Sequence, residues 1–113
     1  MKKLIIYQKA LQLTVNVYLL IKNNPKLAKD FSLNDQIKRA TISVVANIAE
    51  GYCRSKRQFI IYLQIASGSA NEMVALLQII NLVYKIDTCS LQEDFKYLGR
   101  QINSFSSNLK KLS

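Results

Sequence analysis

The sequence has no histidine and no tryptophan, one proline, three glycines and two cysteines among its 113 residues. Each shortage excludes something. Without histidine, most acid–base designs and the usual metal and di-iron sites of helical proteins lose their commonest ligand. So little glycine and proline is too little punctuation for a sheet-rich fold, so the class is all-α. Cys53 and Cys89 are too few and too far apart for a disulfide framework and lack metal-ligand spacing; they read as free thiols in a reducing cytoplasm. There is no Gly-rich phosphate loop. The seven carboxylates are spread over helix ends and faces with no pair brought together by the pattern. A non-enzyme without cofactor or metal is expected. No run approaches the roughly 18 consecutive apolar residues of a membrane span. The opening Met1-Lys2-Lys3-Leu4-Ile5-Ile6-Tyr7 imitates a signal peptide, but Gln8, Lys9 and Gln12 interrupt it and it reads as the first helix.

What is present is apolar and basic. Half of the residues are hydrophobic, and one domain, 1–113, is long enough to bury a single core. The net charge of +9 favours polyanionic partners, nucleic acid or an acidic membrane surface, unless the lysines merely solvate the chain. Membrane-surface binding needs a basic amphipathic helix, whereas here the charges gather at helix ends.

Four helices are expected. Leu4, Tyr7, Leu11, Thr14, Tyr18 and Ile21 make a seam for the first, from about Lys3 to Lys22, and Asn23-Asn24-Pro25 stops it. After a connector over 26–32, Ser32 with Asp35 opens the second, whose stripe is Ile37, Ala40, Val44, Asn47 and Gly51. Gly51, free to take positive φ, is the expected stop. Ser55 with Gln58 caps the third, where Phe59, Leu63, Ala66, Ala70, Met73, Leu77, Ile80 and Tyr84 hold heptad spacing. At about 43 Å this helix would overhang its neighbours unless it breaks near Gly68. Asp87 to Cys89 is a turn, and Ser90 with Glu93 caps the fourth helix, with its seam of Leu91, Phe95, Leu98, Ile102, Phe105, Leu109 and Leu112. One seam per helix and short turns give an antiparallel up-down-up-down four-helix bundle.

The stretch Gln36-Ile37-Lys38-Arg39-Ala40, Ser43-Val44-Val45-Ala46-Asn47-Ile48-Ala49-Glu50-Gly51, Arg54-Ser55, Phe59, Leu63, Ile65-Ala66-Ser67-Gly68-Ser69 and Glu72 resembles the four-helix bundle family encoded in 23S rRNA intervening sequences. That family is related to the accessory variability determinant of diversity-generating retroelements. The resemblance implies a homopentamer arranged as a barrel, and for the retroelement member, binding of structured RNA together with a reverse transcriptase. One departure stands out: Val45 occupies a position where the family often has proline, so this helix should be straighter.

The alternating topology collects Lys2, Lys3, Arg54, Lys56, Arg57, Lys110 and Lys111 at one pole against Glu50 alone, while Lys22, Lys26, Lys29 and Lys85 mix with Asp30, Asp35, Asp87, Glu93 and Asp94 at the other. A dense Lys/Arg patch suits phosphates, RNA or DNA. Tyr52 is placed either to stack on an unpaired base or to pack over the helix ends. The third helix has a second stripe, Tyr62, Ile65, Ser69, Glu72, Leu76, Ile79 and Val83, with Ile60 and Ile61 beside it. It implies either a homo-oligomer interface or burial against helices on both sides. Asn47 needs a hydrogen-bond partner; it, Glu50 and Glu72 read as structural residues. The class-level alternative to nucleic-acid binding is a protein-interaction scaffold whose basic pole meets an acidic partner.

Overall fold

The computed structural model describes residues 4–112. They form α1 (Ile5–Lys22), α2 (Pro25–Ala28), α3 (Phe31–Tyr52), α4 (Lys56–Tyr84) and α5 (Cys89–Lys111), with no strand among the described residues. Five helices replace the four expected, because the connector contains a one-turn helix. α1 packs on α3 and α5, α4 packs on α3 and α5, and α2 sits against α1, α3 and α4. The body measures 48 × 22 × 20 Å.

The extra helix answers the expected overhang of α4. Pro25 stands at the first helical position of α2, where its missing N–H costs nothing. Leu27 is fully buried. The buried Asn34 side chain donates to the Leu27 and Ala28 carbonyls at 2.9 and 3.0 Å, holding α2 on α3. At the far end of α4, the Tyr84 hydroxyl donates to Asp30 Oδ2 at 2.6 Å. Asp30 Oδ1 meanwhile accepts from the Leu33 N–H, so Asp30 is the N-cap of α3, two residues before the expected Ser32. α4 runs unbroken past Gly68, and α3 runs through Val45 to Tyr52.

The core follows the expected stripes of α4 and α5. Leu63, Ala66, Ala70, Met73, Leu77 and Ile80 of α4 meet Phe95, Leu98 and Ile102 of α5, all buried. On α1 the expectation was rotated by one residue. The buried stripe is Ile6, Ala10, Leu13, Val17 and Ile21, while Leu11 and Tyr18 remain exposed. Two apolar stripes lie side by side on this helix, and the small Ala10 lets α1 approach on the aliphatic one. The other stripe flanks α3: the Thr14 hydroxyl donates to the Ala10 carbonyl and pairs with that of Thr41 at 2.9 Å.

Gly51 is also used differently from the expectation. It has no positive φ. It lies buried within α3, and a Cβ there would stand 2.6 Å from Tyr62 Cβ and 2.8 Å from Phe59 Cδ1. Its role is to let α3 and α4 close on each other beside their turn. Ser55 caps α4 as expected, accepting from the Gln58 N–H at 3.2 Å. At its other end α4 stops on Lys85 in the left-handed region, φ 57°. The N-cap of α5 is Thr88, not Ser90. The Thr88 hydroxyl is turned inward and donates to the Leu77 carbonyl at 2.6 Å, and Glu93 pairs instead with Lys96 at 3.2 Å.

Candidate nucleic-acid interface

The C-terminus of α3, the N-terminus of α4 and the C-terminus of α5 meet at one pole. Lys56 Nζ donates to the Leu112 carbonyl at 3.2 Å, which ties the start of α4 to the end of α5. Beneath this surface three rings stack edge-on: Tyr52 on Phe59, with centroids 6.0 Å apart, and Phe59 on Phe105, 5.7 Å apart. They form a rigid apolar floor, since aromatic edges and faces attract. Tyr52 therefore packs over the helix ends while remaining half exposed.

Around that floor stand Arg54, Lys56, Arg57, Lys110 and Lys111, all exposed. Lys2 and Lys3, expected at the same pole, lie outside the described residues. Glu50 bonds Arg54 one turn on, and the Arg54 guanidinium lies 5.9 Å over the Tyr62 ring. That hydrogen bond and the Glu50 charge raise the Arg54 pKa above its ordinary value. Arg54 is thus neutralised locally and orders the turn. Lys56, Arg57, Lys110 and Lys111 supply the uncompensated charge.

Asn47 finds its partner within the chain. Its amide donates to the Ser43 carbonyl and hydroxyl at 2.8 and 3.0 Å, and Ser43 Oγ lies 2.8 Å from Ser69 Oγ. This relay stitches α3 to α4. Ser69 accordingly faces α3, and Leu76 is buried in its own chain, so neither presents itself to a partner subunit. The rest of the expected interface stays outside: Ile65 is 47% and Ile79 43% exposed, and Tyr62 is half-buried while Glu72 is exposed. Ile61, Leu82 and Val83 extend this stripe. Neighbouring helices thus cover the second stripe at Ser69 and Leu76 and leave it open at Ile65, Ile79 and Val83.

Sequence reasoning missed one polar surface. Ser67, Gly68 and Asn71 of α4 face Lys96, Gly99, Arg100 and Asn103 of α5 across a groove of about 480 Å³. Nothing lies within 4 Å of a Cβ placed on Gly68, and one on Gly99 would lie 3.9 Å from Ala70 Cβ. The two glycines in helix interiors were the signal, but their meaning depends on which faces meet. Among the described residues, no three His, Cys, Asp or Glu side chains come together as a metal site. α4 is long and apolar enough, by length and composition, to cross a membrane. It is, however, flanked by α3 and α5, and a membrane protein is not indicated.

The family model described as 23S rRNA-intervening sequence protein matches residues 2–111. A crystal structure of a protein of unknown function from the S23 ribosomal protein family of Bacteroides thetaiotaomicron superposes with a TM-score of 0.83. It is 28% identical, and the match covers 95% of this chain and 99% of that one. No curated protein matches this chain.

Proposed function

This chain belongs to the 23S rRNA-intervening sequence protein family, and from that premise we propose that it is a non-enzymatic, basic four-helix bundle that self-associates and binds structured RNA through its positive pole. The one-turn α2 is then an insert in the first crossover of the bundle. The observation that carries the reading is the gathering of Lys56, Arg57, Lys110 and Lys111 around the Tyr52–Phe59–Phe105 floor. Among the described residues there, the one carboxylate side chain, Glu50, is taken up by Arg54. Such a patch draws phosphates by releasing condensed counterions and carries no base code of its own. The S23 ribosomal protein family designation of the structural neighbour points the same way, toward RNA.

Self-association rests on exposed apolar surface. Leu11, Val15 and Leu19 of α1 and Ile61, Ile65, Ile79 and Leu82 of α4 are all exposed. α1 and α4 stand diagonally, with α3 and α5 packed between them. Two unlike sticky faces on opposite sides suit a head-to-tail contact that closes into a ring, and the family resemblance suggests five members. A cytoplasmic setting and a reverse-transcriptase partner belong to the same proposal.

The test is fluorescence anisotropy of a labelled structured RNA across a salt series, with Arg54, Lys56 and Arg57 changed together to Glu as comparison. The expected result is a log K that falls steeply with log salt and collapses in the folded triple variant. Absence of wild-type binding at low salt would overturn the reading and move the search to acidic protein partners.

A further inference from the structure

We infer that the α4–α5 face carries a track for an extended, single-stranded phosphodiester backbone, running from the basic pole to the groove between Gly68 and Gly99. The inference rests on the nucleic-acid reading above and adds a second site and a strand class to it.

Helical spacing makes the track. On α5, Lys96, Arg100, Asn103, Ser107 and Lys110 follow each other at 4, 3, 4 and 3 residues, one stripe of a helix, all exposed or half-exposed. On α4, Ser67 and Asn71 face it across the groove, and exposed Gln64 and Arg57 continue toward the pole on the solvent side of the same helix. Lys110 and Arg57 belong to the pole; Lys96 and Arg100 belong to the groove. From Lys110 back to Lys96 is about 21 Å of helix, room for several phosphates. Between the two cationic ends stand hydroxyls and amides, which donate to phosphate oxygens.

No carboxylate lies between those ends. The first is Glu93, one turn beyond Lys96 and bonded to it at 3.2 Å, which marks where the track stops. That pair is surface-exposed and weak, so a phosphate can take the ammonium from it. The glycines leave the floor of the groove open for backbone to approach. Phe95, beneath it, is buried and offers no ring to a base. The surface therefore follows phosphates without stacking bases, and is indifferent to sequence.

The experiment measures anisotropy of labelled oligouridylates of increasing length on the full chain, comparing wild type, Lys96→Ala/Arg100→Ala, and the pole variant. Alanine is compatible with both helical positions, and circular dichroism checks the fold. Wild-type affinity should rise with strand length until the track is filled. The groove variant should lose that length dependence, and the slope of log K against log salt should become shallower by about 1.4, at roughly 0.7 per phosphate contact on a single strand. An unchanged slope in the groove variant, with the pole variant impaired, overturns the track and leaves the pole reading standing. No binding of oligouridylate by wild type overturns the track, while the pole reading stands or falls on the structured RNA. Oligoglutamate of equal charge that binds with the same dependence on Lys96 and Arg100 would also overturn the track, assigning the groove to acidic peptides instead.

Discussion

Tyr84 and Asp30, 54 residues apart in sequence, share a 2.6 Å hydrogen bond that fastens the last turn of α4 to the first turn of α3. The bond is made by the ionised carboxylate and the neutral phenol. It therefore lowers the Asp30 pKa below its ordinary 3.8, helped by the Leu33 N–H, and raises the Tyr84 pKa above 10.0.

The sign follows for each group. Asp30, depressed in the folded state, stabilises at pH values above its unfolded pKa and loses that contribution as pH falls through the folded value. Tyr84, raised in the folded state, stabilises below its unfolded pKa and loses its contribution as pH rises through the folded value. Tyr84→Phe should lower the urea midpoint at neutral pH and flatten both the acid and the alkaline fall of the wild-type profile. Asp30→Asn keeps an N-capping side chain and should flatten the acid limb while retaining most α3 capping. Urea midpoints across pH for the three proteins check this; parallel profiles would refute the linkage.

Two glycines in helices should respond in opposite directions. Gly51→Ala forces a Cβ to 2.6 Å from Tyr62 Cβ, where the atom in the way belongs to the side-chain root and cannot swing aside. Overpacking of this kind costs about 1–3 kcal/mol. Gly68→Ala meets open space and should gain about 0.5–1 kcal/mol of helix propensity. Equilibrium urea unfolding measures both, and a neutral Gly51→Ala would mean that the α3–α4 approach is looser than these distances.

The apolar stripe on α4 gives a third. Ile65→Glu alters a residue already half exposed in the single chain, so the stability of an isolated chain should change by no more than about 0.5 kcal/mol. The mass in solution should nonetheless fall toward that of the monomer. Light scattering after size exclusion reads it directly, and a wild-type protein that is monomeric at high concentration would sink the ring.

How far the sequence could be read depended on whether a residue's partner was close by in the chain. The core stripe of α4 and the seam of α5 from Leu91 to Leu109 were legible because each is set by periodicity within one helix; Leu112, expected in that seam, caps the helix and is 74% exposed. The Ser55 cap was legible because Gln58 is three residues away. The caps at Asp30 and Thr88 were not: Asp30 is shared with Tyr84, and Thr88 spends its hydroxyl on Leu77 eleven residues back. On α1, two apolar stripes competed, and only the docking of α3 and α5 chose between them. The pole could be assembled from helix order alone, whereas the Lys96–Arg100 groove needed to know which sides of α4 and α5 meet.

α3, α4 and α5 are joined by short turns and pack on one another in chain order, with α4 in the middle making the most extensive contacts. α1 packs less extensively on its neighbours than α3, α4 or α5 do. Folding can then proceed as a three-helix nucleus assembled through local loops, with docking of α1 onto α5 as the one closure that spans the chain. In the native state the same asymmetry makes α1 the cooperative unit of lowest opening free energy. Its amides should exchange with solvent through a partial opening, while those of Leu63 to Ile80 exchange only on global unfolding.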